Sequence, residues 1–396
     1  MSEKKTPNLC LLNEYFEFAL LCRNGNASCF IDYNIGTTRI WPKISIKMFE
    51  TTIPLYTKPY EAPSWLPGGN IQTLYPYFNK PAPLFTYRRE RWELEDGDFV
   101  DVDWTHGSEN SPLVIFFHGL EGGSSSHYIL SMINNLNTHG WHSAVIHFRG
   151  CSGIPNRLSR AYHAGDSTEI DWMLRRITNQ TQITNSNRPV YVIGVSLGGN
   201  ALLKWLGEQG ERASDLVTGA ATISVPLDLA AAGSALSKGF NQVYTRHFLD
   251  TLKNKAFDKL EQFPDLFDAK ALKKCASIYD FDNLVTAPLH GFRDTDEYWQ
   301  QSSSKQWLPH IKVPTLVINA RNDPFMPAFV LPNQNEVSAA VTLEFPEEGG
   351  HAGFMQGPFP GKLDWLPKKI LSFFYYRCQH HFSEKTSDES VLYIPG

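Results

Sequence analysis

The sequence of 396 residues lacks the features that mark several classes of protein. It contains no basic stretch, and its net charge of −5 comes from 36 basic against 41 acidic residues, so nothing indicates a nucleic-acid partner. Its six cysteines show neither C-x-x-C spacing nor a paired framework, which excludes a disulfide scaffold and a structural zinc site. These absences favour a protein of a reducing compartment.

Long apolar runs are also missing. The best one near the start, residues 15–22, is too short to cross a bilayer and contains Glu17. The same region is not typical of a secretory signal, because Asn13 and Glu14 interrupt its apolar core. With 42% hydrophobic and 19% charged residues, the chain has the balance of a globular protein with ample core. We therefore expect a cytoplasmic protein without a membrane span.

Residues 189–205 carry the most informative pattern in the chain. A β-branched apolar run predicts a buried strand up to Val195, and the apolar spacing from Ala201 onward predicts an amphipathic helix. Between them lies G-x-S-x-G, residues 194–198, which is the arrangement of a nucleophile elbow. Ser196 is therefore the candidate nucleophile, placed at the positive end of the helix. The alternative is a serine that only caps a helix after a glycine turn.

The loop after the predicted strand 112–117 is the candidate oxyanion loop. It begins with His118 and Gly119, in the position where an elbow enzyme has its second oxyanion donor. We expect the backbone N–H groups of Leu120 and Leu197 to form the oxyanion hole. His118 would orient the loop, and a general-base role is its alternative.

Two later loops supply the remaining candidate groups. A predicted strand at 313–319 is followed by Asp323, and the last predicted strand, 341–345, is followed by His351 between glycines. The chain order Ser196, Asp323, His351 is the order of a nucleophile-elbow enzyme. Each residue alone could be an ordinary turn or loop residue, but three at the ends of predicted strands favour a catalytic triad.

The alternation of elements predicts an α/β fold with a mostly parallel central sheet flanked by helices. A D-G turn predicts a hairpin of residues 88–94 and 98–104 ahead of it. The alternation stops after 226, where helical patterns at 229–237, 241–255 and 269–277 predict a cap over the site. The predicted divisions are a weakly ordered extension without convincing strands or helices (1–47), an aromatic arm (48–87), core (88–226), helical cap (227–309), core (310–380) and tail (381–396).

Other candidates for the chemistry remain open at this point. The cap carries acids that could serve as the third triad member, although acids on such a face are usually solvated: Asp280, Asp282, Asp294 and Asp296. Cys151 could be a thiol nucleophile, but it has no obvious base, and a small buried cysteine is the simpler interpretation.

Several motifs together resemble one family. They are G-N-I-Q-T (69–73), H-G-L-E-G (118–122), F-R-G-C-S-G (148–153), Y-H-A-G-D (162–166), G-V-S-L-G-G-N (194–200), T-A-P-L-H-G-F (286–292) and N-D-P-F (322–325). From about residue 60 to 375 the chain is similar to the YheT-like group of α/β-hydrolases. The resemblance implies an α/β-hydrolase fold and carboxylester hydrolysis, with Ser196, Asp323 and His351 matching the group's triad. The chain departs from the group in residues 1–47, and we expect no counterpart of the membrane anchor found in animal members.

We therefore expect a serine carboxylesterase that cleaves short- to medium-chain esters through an acyl-enzyme and needs no metal or cofactor. Its partner would be a small-molecule ester, with no nucleic acid, and the protein would be a monomer. The alternatives are an acyltransferase with an alcohol acceptor and a catalytically silent binding protein on the same scaffold. The cap has no H-x-x-x-x-D motif, which weakens an acyltransferase of that type.

Overall fold

The computed structural model describes residues 18–23, 26–31, 53–184 and 188–378. The chain divides into two compact units, Met1–Thr52 and Ile53–Gly396. In the first unit, strands β1 (Phe18–Arg23) and β2 (Asn26–Ile31) pair antiparallel. This hairpin was not expected from the sequence, although Asn24-Gly25 between the strands is a typical hairpin-turn pair. The rest of the predicted extension 1–47, and the tail 381–396, lie outside the described residues.

The second unit is built on one eight-stranded sheet. Its strands are β3 (Arg88–Glu93), β4 (Phe99–Thr105), β5 (Leu113–Phe117), β6 (His142–Ile146), β7 (Val190–Val195), β8 (Gly219–Ile223), β9 (Thr315–Ile318) and β10 (Val341–Glu344). They lie in the order β10-β9-β8-β7-β5-β6-β4-β3. The pairs β3–β4 and β4–β6 are antiparallel and the other pairs are parallel, which confirms the predicted mostly parallel sheet. The carboxyl ends of β5, β7, β8, β9 and β10 therefore meet at one edge.

Helices cover both faces of this sheet. Helix α1 (Gly69–Phe78) precedes the sheet in the chain, and the covering helices are α2 (His127–Thr138), α3 (Ser167–Thr184), α4 (Leu197–Gln209) and α11 (Trp365–Phe373). Apolar residues of α3 and α4 form one core layer with the sheet, and those of α2 and α11 form the other. Because β5 and β7 are buried along their whole length, their apolar runs do not alternate.

The segment after β8 is all-helical, as predicted for a cap. It contains α5 (Leu229–Leu236), α6 (Gln242–Gln262), α7 (Ala269–Lys274), α8 (Ile278–Phe281), α9 (Ala287–Leu289) and α10 (Thr295–Ser302). A π-helical turn, Asp282–Thr286, joins α8 to α9. The long helix α6 extends to 262 rather than the expected 255, and α10 was not predicted. The domain boundaries themselves stay predictions.

Among the residues that the structure describes, no helix combines the length and apolar character that a bilayer span requires.

Candidate active site

Ser196 lies at the turn between β7 and α4. Its φ of +52° is in the left-handed region, which costs a residue with a side chain roughly 1–3 kcal/mol and persists only where the surroundings fix it. The Ser196 N–H donates to the carbonyl of Ile223 on the neighbouring strand, at 2.8 Å. The serine therefore stands at the N-terminus of α4 in the conformation expected of an elbow.

The structure brings the three residues of the predicted triad together. The Ser196 Oγ lies 3.1 Å from His351 Nε2, and the His351 Nδ1 lies 2.9 Å from Asp323 Oδ2. The Asp323 carboxylate is fully buried and accepts from Nδ1–H, which leaves the lone pair of Nε2 facing the serine hydroxyl. This arrangement can take a proton from the serine.

Two further contacts restrict the acid and the imidazole. The Phe325 N–H donates to the second carboxylate oxygen of Asp323 at 2.8 Å. The Phe325 ring packs against the imidazole of His351, with 4.2 Å between ring centroids. The loop after β9 therefore fixes the carboxylate and one face of the histidine ring.

Helix α1 of the aromatic arm holds the histidine loop through buried polar groups. The His351 N–H donates to Thr73 Oγ1 at 2.9 Å, and the Gly349 N–H donates to Gln72 Oε1 at 2.9 Å. Gln72 is fully buried and Thr73 nearly so, which is unusual for polar residues.

The same helix also holds the acid loop. The Asn322 Nδ2 donates to Gln72 Oε1 at 2.9 Å, and its Oδ1 accepts from the Gly350 N–H at 3.0 Å. A Cβ on Gly69 would lie 1.9 Å from the Asn322 carbonyl oxygen, so only glycine allows this approach. The sequence alone predicts no role for Gln72, Thr73 or Asn322. The signal was available, since polar residues interrupt an aromatic arm within the G-N-I-Q-T motif.

The candidate oxyanion loop runs directly against the serine. A Cβ on Gly119 would lie 3.1 Å from the Ser196 Cβ. Leu120 and Leu197 both line the cavity that contains Ser196. Leu197 is the first residue of α4, so its N–H has no acceptor within the helix and is free for an oxyanion. Both predicted donor residues therefore line the cavity that contains the serine, and their role in an oxyanion hole stays a prediction.

His118 orients this loop and is not placed to act as a base. The Phe148 N–H donates to His118 Nε2 at 3.1 Å, so the proton is on Nδ1, which donates to the Gly119 carbonyl at 2.8 Å. Complete burial lowers the pKa of His118 to about 3, which keeps the ring neutral.

The acids of the cap have partners within the cap. Asp280 closes a capping box on α8, and Asp294 caps α10 by accepting from a backbone N–H at 2.8 Å. Asp296 accepts from the Tyr279 hydroxyl at 3.3 Å. These contacts explain the acids by local structure and give the alternative third triad member no support.

Asp282 is different because it is buried. Its carboxylate accepts from the Trp299 indole at 2.8 Å and from the Thr286 hydroxyl at 2.6 Å. Burial raises the pKa of Asp282 to about 6.

Burial likewise raises the pKa of the Cys151 thiol to about 12, so Cys151 is a poor nucleophile at neutral pH.

A cavity of about 390 Å³ opens above the serine, between the sheet edge and the cap. Ser196 and His351 form part of its floor, and its walls are mostly apolar. Those walls include Leu229, Leu236, Phe248, Leu252, Phe267, Ile278, Phe281, Val285, Leu289 and Met326. Charged residues also line the cavity, among them Glu121, Arg149 and Lys255. A mostly apolar pocket of this size with some polar groups is typical of a small-molecule site.

Comparison with known proteins identifies the family. Residues 112–358 match the family described as the alpha/beta hydrolase fold. The chain is 37% identical to YheT of Escherichia coli, an esterase by name, over 76% of this chain and 88% of that protein. It is 27% identical to the phospholipase ABHD3 of Bos taurus, over 83% and 80% of the two chains. It is also 27% identical to a monoacylglycerol lipase of Saccharomyces cerevisiae, over 73% and 60%. The protein is therefore a hydrolase of the esterase and lipase type that belongs to the α/β-hydrolase family, in its YheT-like group.

Proposed function

We propose that the protein is a serine carboxylesterase in which Ser196, His351 and Asp323 form the catalytic triad. The observation that carries this proposal is the continuous hydrogen-bonded chain from the Ser196 hydroxyl through the imidazole to a buried carboxylate, at the floor of an apolar cavity. The names of the relatives, esterase, phospholipase and monoacylglycerol lipase, support ester hydrolysis.

In the first half of the reaction, Ser196 Oγ attacks the ester carbonyl while its proton passes to His351 Nε2. Asp323 holds the correct tautomer and stabilises the imidazolium that forms. The N–H groups of Leu120 and Leu197 donate to the carbonyl oxygen as it becomes an oxyanion. Nε2–H then protonates the departing alcohol, and the acyl group stays on Ser196.

In the second half, water replaces the alcohol. Nε2 takes a proton from the water as the oxygen attacks the acyl-enzyme, and the same proton returns to Ser196 Oγ when the acid leaves. The balance is one ester and one water to one acid and one alcohol.

The size and the walls of the cavity support the proposal that the substrates carry short- to medium-chain acyl groups. Its volume of about 390 Å³ is near the lower end of the range for small-molecule pockets. Its apolar walls favour an alkyl chain over a charged group, because burying an unpaired charge is costly.

A panel of p-nitrophenyl esters from acetate to palmitate tests this proposal. We expect the highest kcat/KM for the shorter and medium chains, and a loss of at least about 10³ in Ser196→Ala. A fluorophosphonate should label Ser196 alone. The matched control is Ser214→Ala, since Ser214 is exposed and bonds only to the local carbonyl of Glu211. Full activity in Ser196→Ala, or labelling at another serine, would contradict the assignment. Product esters in the presence of ethanol would favour the acyltransferase alternative.

A further inference from the structure

Glu121 directly follows Leu120 in the candidate oxyanion loop, and its backbone is strained. Its φ of +55° is in the left-handed region, and a glycine would adopt it without cost. A side chain in this region persists only where other contacts hold it. The contacts that do so here involve one residue of the core and one of the cap.

Tyr162 provides the contact from the core. Its hydroxyl accepts from the Glu121 N–H at 2.9 Å and donates to the Glu121 carboxylate at 2.8 Å. The Tyr162 ring stacks on Phe148, with 5.3 Å between centroids and 5° between planes. One rigid phenol therefore fixes both the backbone and the side chain of Glu121.

Lys255 provides the contact from the cap. It lies on α6, and its Nζ donates to the same carboxylate oxygen at 2.8 Å and lies 3.5 Å from Cys151 Sγ. The Glu121 side chain is 10% exposed and that of Lys255 41%, so the ion pair is partly shielded from water. Leu120, Glu121, Lys255 and Ser196 line the same cavity.

We infer that the Lys255–Glu121 ion pair is a clamp that makes the oxyanion loop competent only when the cap is closed over it. Both residues are positioning residues, since they act through the backbone N–H of Leu120. The clamp favours the loop geometry that the oxyanion requires, and it joins that geometry to the position of α6. This inference rests on the proposed function.

Neutral variants of the two residues test the clamp. Lys255→Met keeps the aliphatic stem and Glu121→Gln keeps the shape, and both remove the charge. We expect each to lower kcat about 10- to 100-fold, below the 10²–10³ lost when an oxyanion donor is removed outright. The KM of p-nitrophenyl butyrate should change less than about threefold. The inhibition constant of an alkyl trifluoromethyl ketone, which forms the oxyanion, should rise in proportion to the loss in kcat/KM.

Three further variants separate the clamp from general damage to the cap. The double variant should be no slower than the slower single one, since each removes the same contact. Lys255→Arg should restore most of the activity. The matched control is Lys253→Met on the same helix, whose Nζ bonds to the carbonyls of Lys273 and Cys275 within the cap, and it should keep its kcat.

All rates are divided by the concentration of active sites titrated with fluorophosphonate, so unfolded protein does not lower the measured kcat. The clamp would be overturned if Lys255→Met and Glu121→Gln kept the wild-type kcat or if they raised KM alone. An equal fall of kcat in Lys253→Met would also overturn it. Activity in Ser196→Ala would instead overturn the proposed function, so the two failures are distinguishable.

Discussion

Asp323 and Asp282 are both buried carboxyl groups, but they differ in their hydrogen-bond partners. Asp323 accepts hydrogen bonds from the imidazole N–H of His351 and from the backbone N–H of Phe325. Asp282 accepts from neutral groups alone, and burial raises its pKa to about 6. Of the two, Asp323 is the carboxyl that is hydrogen-bonded to His351, whereas Asp282 is bonded to residues of the cap.

Replacing Asp323 by asparagine should keep the geometry but favour the wrong histidine tautomer, because the amide would donate to Nδ1. We expect kcat to fall by about 10⁴. Steady-state kinetics with a p-nitrophenyl ester measures the loss. If a cap acid were the third member, Asp282→Asn or Asp294→Asn would show that loss and Asp323→Asn would not.

Asp282 should make stability depend on pH. Its pKa is raised from 3.8 to about 6, so the folded protein binds this proton more tightly than the unfolded chain does. The contribution is fully present below about pH 4 and is lost as the pH rises through about 6, with a total of about 3 kcal/mol. In Asp282→Asn the amide carries no titrating proton and can serve both partners. The free energy of unfolding of Asp282→Asn, relative to wild type, should therefore rise by up to about 3 kcal/mol from pH 4 to pH 8.

Urea unfolding at both pH values measures this difference. Asp294→Asn serves as the control, since Asp294 is a half-buried helix cap and its hydrogen bond from Arg293 holds the pKa of that carboxyl below the usual range. A difference for Asp282→Asn that does not change with pH would show that this carboxyl is not held in its protonated form.

At the scale of elements, the contacts of α1 explain why an aromatic arm precedes an otherwise ordinary α/β core. Its buried residues are Gln72, Thr73 and Pro76, so the helix packs mainly through hydrogen bonds to the acid and histidine loops. A helix that was merely attached to the surface would bury an apolar stripe instead.

Thr73→Val should therefore affect catalysis more than stability. Valine keeps the shape but leaves the partly buried His351 N–H without its acceptor, and a hydrogen bond of this kind contributes about 1 kcal/mol. We expect kcat to fall about tenfold with little change in KM, because a shift of the imidazole affects the transition state. Thr315→Val is the matched control, since Thr315 begins β9 and donates only to Val313. Equal losses in both variants would refute a specific role of α1.

The sequence predicted the elements whose signal is local. The buried runs of β5 and β7, the elbow and the D-G hairpin all follow from neighbouring residues, and the structure confirms them. The true length of α6 and the existence of α10 were missed. Helix α6 buries few residues, among them Tyr244, Leu249 and Ala256, so its apolar periodicity is weak.

At the scale of the whole molecule, the contacts that the sequence did not predict join residues far apart in the chain. Ser196 and His351 are 155 residues apart, and Thr73 and His351 are 278 apart. The order of the triad could be predicted because strand ends of one sheet meet at one edge. No periodicity indicates that a threonine near the start accepts from the histidine loop, because that contact depends on how the arm closes over the finished core.

The segment 53–60 closes over the core in the same way. Tyr60 packs edge-to-face on Phe354 and Trp365, and its hydroxyl donates to the Met355 carbonyl at 2.8 Å. The Ile53 side chain is buried as well. The compact unit that carries the site thus begins at Ile53, beyond the predicted extension.

A protein that starts at Met48 should therefore keep the stability and activity of the full chain. It removes 1–47 but retains Ile53 and Tyr60, so its melting temperature should lie within a few degrees of the full chain and it should hydrolyse the same esters. The matched control starts at Pro63 and loses both buried side chains, each of which contributes about 2–5 kcal/mol. We expect that control to melt more than about 8 °C lower, which corresponds to several kcal/mol in a domain of this size. Differential scanning calorimetry of the three proteins decides the matter. A drop of more than about 8 °C on starting at Met48 would mean that residues 1–47 stabilise the hydrolase unit, because the contacts of Ile53 and Tyr60 are the same in both proteins.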